Sequence, residues 1–133
     1  MKTLKVKSDL SELKKVRSFL KEILKEKDVS EKDYYIMDLS LVEVCINIIK
    51  YAYPKNKGTI YLKSWIEKNI VFFEIKDDGI PFDPRSIKKP NISEIIDKEK
   101  KGGLGVFLIR SLMNSVEYQR KKNQNILLMS KSF

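Results

Sequence analysis

From Ile36 to Ile49 the chain is apolar on nearly every side that a helix would present. A helix of that kind is stable only inside a core, so the remaining segments must enclose it. Ser30 with Asp33 resembles a capping box that opens it, and it runs to about Tyr53, where Pro54 and the Lys55–Gly58 segment end it. Upstream, Thr3–Lys7 reads as a short strand. Ser8 or Asp9 then caps a helix whose apolar stripe is Leu10, Leu13, Val16, Leu20, Ile23 and Leu24. The other positions of that helix are charged, which assigns it to the surface with one buried face.

The enclosing layer comes from strands. Thr59–Ile66 and Ile70–Lys76 are rich in β-branched and aromatic residues and are joined by a short turn at Glu67–Asn69. Val116–Arg120 and Asn125–Lys131 form a second such pair around a polar turn. Between the pairs lies a long irregular stretch, Asp77 to Lys101, with three of the four prolines and a possible short helix at Ile92–Lys98. Gly103 to Asn114 then has a helical apolar pattern. Strands joined by short turns pair antiparallel, so the reading is α+β, with helices on one face of a mostly antiparallel sheet. No repeat or domain boundary interrupts residues 1–133, which read as one domain. Twenty or so irregular residues are rare in a compact domain without a functional reason, and lids are a common one.

Composition narrows the function. No stretch approaches the roughly 18 uncharged apolar residues of a membrane span, and Met1–Ser8 lacks the apolar core of a signal peptide. The lone Cys45 excludes an internal disulfide and fits a reducing compartment, so the expectation is a cytoplasmic protein without membrane contact. The net charge of +9 suggests an anionic partner. The lysines, however, are interleaved with Glu and Asp and accompany no helix-turn-helix signature or aromatic-basic repeat. They read as a solvated surface, with no direct nucleic-acid binding.

Three segments carry candidate chemistry. Glu43 and Asn47 lie four apart on one face of the buried helix, with Lys50 about one turn further on. Polar groups set among Val42, Val44, Cys45, Ile46, Ile48 and Ile49 cost several kcal/mol unless they are bonded or liganded. They are either a satisfied structural pair or a cleft face, where Asn47 offers oxygen to a hard cation and Glu43 acts on a nucleophile. The second segment, Asp77-Asp78-Gly79-Ile80-Pro81-Phe82, closes a strand. It is either an ordinary Asp-Gly turn or a place where a carboxylate accepts from an exocyclic amine such as that of adenine, with Gly79 allowing a close backbone approach or a positive φ. The third, Lys101-Gly102-Gly103-Leu104-Gly105-Val106, opens a helix and offers free N–H groups to a phosphate. It is neither a Walker loop nor a dinucleotide fingerprint. Four of the five glycines fall in the second and third segments.

In this order the three segments resemble the N, G1 and G2 boxes of the GHKL (Bergerat-fold) ATPases and kinases, and within them the anti-sigma-factor serine kinases. Glu43-Val-Cys-Ile-Asn47-Ile-Ile-Lys50-Tyr-Ala-Tyr53 is similar to E-x-x-x-N-x-x-K/H-x-Y, and Asp77-Asp-Gly79-Ile-Pro-Phe-Asp-Pro84 to D-x-G-x-x-F-D-P. Gly103-Leu-Gly105-Val-Phe-Leu-Ile-Arg-Ser-Leu-Met113 is similar to G-L-G-L-x-L-I-R-x-L-M. The resemblance implies a two-layer α/β sandwich with a mostly antiparallel mixed sheet. It also implies ATP and Mg2+ as cofactors.

Carried over residue by residue, the resemblance makes Asn47 the magnesium ligand and Glu43 the general base for a serine hydroxyl. Lys50 would lie near the phosphates. Asp77 would hold the adenine amine, with Gly79 letting the ring pack close. Residues from about Ile80 to Lys101 would form the lid. Gly103, Leu104, Gly105 and Val106 would wrap the phosphates, helped by Lys101. The implied activity is a protein serine kinase that phosphorylates an anti-sigma-factor antagonist and sequesters a sigma factor, usually as a homodimer. A non-catalytic ATP-binding module that sequesters a protein partner is the alternative. Two departures stand out: Asn114 replaces a commonly acidic residue, and the Lys121–Asn125 hairpin lacks the Gly-Thr pair of larger GHKL enzymes. With no histidine, the chain cannot be an autophosphorylating histidine kinase on its own.

Overall fold

The computed structural model describes residues 1–84 and 112–133. Strand β1 (Lys2–Lys7) leads into helix α1 (Leu13–Leu24) and helix α2 (Glu31–Asn47). Strands β2 (Thr59–Glu67), β3 (Ile70–Asp77), β4 (Ser115–Lys121) and β5 (Gln124–Ser132) follow. The helices proposed at Ile92–Lys98 and Gly103–Asn114 lie outside the described residues, apart from the last three positions of the second.

Local chemistry explains the helix starts. Asp9 accepts the Ser11 N–H at 3.0 Å, capping a single 3₁₀ turn at Leu10–Glu12 that runs on into α1. That turn rotates Leu10 out of the apolar stripe, and its side chain is exposed, contrary to the helical spacing. Phe19, absent from the stripe as read, is buried with Val16, Leu20 and Leu24. Ser30 caps α2 by accepting the Asp33 N–H at 3.1 Å. After Asn47 the helix widens into a π-helical turn, Ile48–Ala52, which closes with Tyr53 N–H donating to the Ile48 carbonyl at 3.0 Å. Such turns are rare and concentrate at functional sites.

The strands form one sheet in the order β1-β2-β3-β5-β4, and every pairing among the described residues is antiparallel. The β4–β5 hairpin turns on Lys122 and Asn123, both at positive φ, as a two-residue primed turn requires. Alternation sends Leu62, Phe73, Ile75, Leu127 and Met129 to one face. There they join Val16, Leu20, Met37, Leu41, Val44 and Ile48 in a single core. This is the anticipated two-layer α+β arrangement. At one end of the sheet a row of register partners runs Val6, Ile60, Asp77, Asn125, Arg120 across all five strands. That row sets the position of the site.

Candidate functional site

The C-terminal part of α2, the end of β3 and the start of β5 converge on a narrow cleft. Its lining includes Asn47, Asp77, Phe82, Tyr118 and Asn125. The free space in it is about 20 Å³, room for a single water molecule. That space is too small for a nucleotide base as it stands, and Phe82 and Pro84 form part of its wall.

Asp77 is 2% exposed, and its surroundings explain how a carboxylate survives there. Its Oδ1 accepts the Gly79 N–H at 2.9 Å and the Asn125 Nδ2–H at 2.8 Å. Burial pushes the carboxyl above the usual aspartate range, while the bonds from Asn125 and Gly79 and the charge of Arg120 act against that rise. Asn125 holds the exit of β3 as well. It donates to the Ile80 carbonyl at 2.8 Å, and its Oδ1 accepts Tyr118 Oη–H at 2.6 Å and Phe82 N–H at 3.2 Å.

Asn47 is the opposite case. It is equally buried, yet neither its Oδ1 nor its Nδ2 has a hydrogen-bond partner among the described residues. A buried polar atom left unsatisfied costs about 1–3 kcal/mol, and no described residue supplies a bond to either Asn47 atom. An amide oxygen suits a hard cation that keeps most of its shell from water and phosphate. Glu43 lies one turn earlier and is only half-buried. Desolvation raises its carboxyl above the usual range, offset in part by the positive charge of Lys50. Lys50 itself is exposed on the π-helical turn.

Of the two reasons the sequence offered for Gly79, the structure shows a close backbone approach and no positive φ. A Cβ at Gly79 would overlap the Ala52 carbonyl group and Cβ, and the adjacent Ile80 N–H donates to that carbonyl at 2.9 Å. The close approach is to the π-helical turn, which is thereby clamped to the end of β3. Lys101, Gly103, Leu104, Gly105 and Val106 lie outside the described residues.

Sequence reasoning missed Asn125, Tyr118 and Arg120 as site residues. Arg120 donates to the Gly79 carbonyl at 2.8 Å. A signal existed for Asn125, since the alternation of the last strand puts it in phase with Leu127 and Met129, a polar group on the buried face. Tyr118 and Arg120 carried no such mark.

A two-layer fold with these polar groups at the sheet end defines a class. Residues 6–131 match the family model described as a histidine kinase-like ATPase domain, and the chain belongs to that family. It is similar to the serine-protein kinases RsbW of Bacillus thuringiensis (strain Al Hakam), at 26% identity, and of Bacillus cereus (strain AH820), at 25%. Each match spans 96 residues, 69% of this chain and 60% of the relative. Among solved structures, the histidine kinase AdeS of Acinetobacter baumannii superposes with a TM-score of 0.52 at 14% identity. That superposition covers 99% of this chain and 68% of AdeS and is a likeness of fold.

Proposed function

We propose that the chain is an ATP- and Mg2+-dependent protein serine kinase acting as an anti-sigma factor, which phosphorylates an anti-sigma-factor antagonist and sequesters a sigma factor. The observation that carries the nucleotide site is the buried, unpartnered amide of Asn47 in the same cleft as the networked carboxylate of Asp77. In this reading Asp77 accepts from the exocyclic amine of adenine and Asn47 Oδ1 holds magnesium. Such an ion would supply positive charge against the phosphate oxygens. Glu43 takes the proton of the substrate serine as its oxygen bonds to the γ-phosphorus. The bond from that phosphorus to the β-phosphate oxygen breaks, and ADP leaves. Positioning and charge neutralisation supply most of such a reaction, so a small set of groups suffices. On the family resemblance, Lys50 and Lys101 would supply positive charge near the phosphates, and Gly103–Val106 would wrap them.

The kinase reading, the partners and a homodimeric state rest on the family resemblance and on the serine-protein kinase relatives. Glu43 favours transfer over a purely sequestering module, because a binder has no use for a partly desolvated carboxylate beside the magnesium ligand. Calorimetric titration with ATP, with and without magnesium, tests the site. Binding that requires magnesium and weakens in Asp77→Asn supports it, whereas no heat at about 1 mM ATP removes it. Glu43→Ala then separates the two readings. The kinase loses phosphate transfer to its serine substrate and keeps ATP, while the module shows no transfer in either form.

A further inference from the structure

The side-chain amide of Asn125 has two N–H donors and two acceptor lone pairs, and all four are committed. The donors go to Asp77 Oδ1 and the Ile80 carbonyl; the acceptor sites take Tyr118 Oη–H and Phe82 N–H. Asn125 therefore has nothing left with which to touch a ligand, although it lines the cleft. Its effect falls on Asp77. With the Gly79 N–H it fills both acceptor sites of Oδ1, so only Oδ2 of that carboxylate remains for a ligand. Of the influences that oppose the upward push of burial on the Asp77 carboxyl, the Asn125 bond is the largest.

We infer that Asn125 is a positioning residue for base selection: by tying up Oδ1 it makes Asp77 a single acceptor, which fits the lone exocyclic amine of an adenine-type base. A guanine-type base presents adjacent N1–H and N2–H donors, which a carboxylate satisfies best with both oxygens. The tether denies it the second oxygen. The same amide holds the Phe82 N–H, so one wall of the cleft is anchored to the residue that sets the selecting carboxylate. This inference rests on the nucleotide reading of the cleft.

The test measures affinities of a non-hydrolysable ATP analogue and its GTP counterpart, with magnesium. The proteins are the wild-type chain, Asp77→Asn, Asn125→Leu and Tyr118→Phe, each checked for cooperative thermal unfolding. In wild type the adenine analogue binds more tightly. In Asn125→Leu the adenine-to-guanine affinity ratio falls by about tenfold, the scale of one hydrogen bond to a charged group. Tyr118→Phe, which keeps the ring and frees one acceptor site of Asn125, lowers the ratio less. It carries the test if Asn125→Leu fails to fold. An unchanged ratio in the folded variants, or an equal loss for both analogues, overturns the inference while leaving the site intact. Failure of wild type to bind either analogue, or indifference to Asp77→Asn, removes the nucleotide reading itself and the inference with it.

Discussion

Two buried polar side chains face the same cleft and are treated in opposite ways. At the β3–β5 end, Asp77 is held by Asn125 and Gly79, and Asn125 is bonded to three further groups. At the α2 end, Asn47 has no partner among the described residues. A fully satisfied network rigidifies a site and makes it part of the fold; an orphaned amide is a cost that a water or a ligand must offset. On the proposed function, one end of the cleft is thus built before ligand arrives, and the other would be completed by it. Mutations at the two ends should separate into effects on stability and effects on binding.

The largest expected effect is on the networked end. Asn125→Leu removes its bonds to Ile80 O, Tyr118 Oη and Phe82 N–H at once, and one donor from Asp77. It should destabilise the chain by about 3 kcal/mol, read as a lower urea midpoint. A loss under about 1 kcal/mol would mean that water replaces the network easily, and the contrast would dissolve.

Asp77→Asn sits between the two kinds. It keeps the shape but sets an amide against two donors, so ATP affinity should drop about ten- to a hundredfold in calorimetry. The same variant tests the electrostatics. Burial holds the Asp77 carboxyl above the ordinary value of 3.8, so the folded state binds the proton more tightly than the unfolded chain. Its contribution to stability is fully present below 3.8, is lost as pH rises through the folded value, and is constant above it. Urea midpoints of Asp77→Asn against wild type across that acid interval should lack this step.

A smaller effect, remote from the cleft, calibrates both. Ser30→Ala removes the cap on α2 and should cost about 1 kcal/mol without changing the adenine-to-guanine ratio. The smallest change in stability belongs to Asn47→Leu. It deletes two unsatisfied polar atoms at similar volume, so the ligand-free chain should unfold within about 1 kcal/mol of wild type or later. Magnesium-dependent ATP binding should nevertheless vanish. A destabilisation as large as that of Asn125→Leu would show that Asn47 is structural after all.

Much of this was legible beforehand. The strands fall within a residue or two of their expected limits because period-2 alternation and turn chemistry are local signals. Ser30 and Asp9 cap helices because the capping bond spans only two or three residues. Leu10 was misread because a 3₁₀ turn has a different angular step from the α-helix that was assumed. The π-helical turn left no mark, since it differs from an α-turn only in which carbonyl each N–H meets. Asn47 was visible as a polar group where apolar ones belong, and Asp77 as a carboxylate at a strand end beside an Asp-Gly turn.

What the sequence determined by itself was the set of elements, which of their faces are apolar, and the three polar segments with their order. Tertiary structure decided which of those residues meet. Asn125 and Asp77 are 48 residues apart, and they touch because β5 inserts between β3 and β4 in a register that makes them row partners. Gly79 clears the Ala52 carbonyl, 27 positions earlier, for a reason absent from its own turn. Alternation says which face a side chain takes, but a one-residue slip in strand register would send all of them to the other face. Only the packed core, by burying one face of every strand at once, selects the register that brings Asn125 to Asp77.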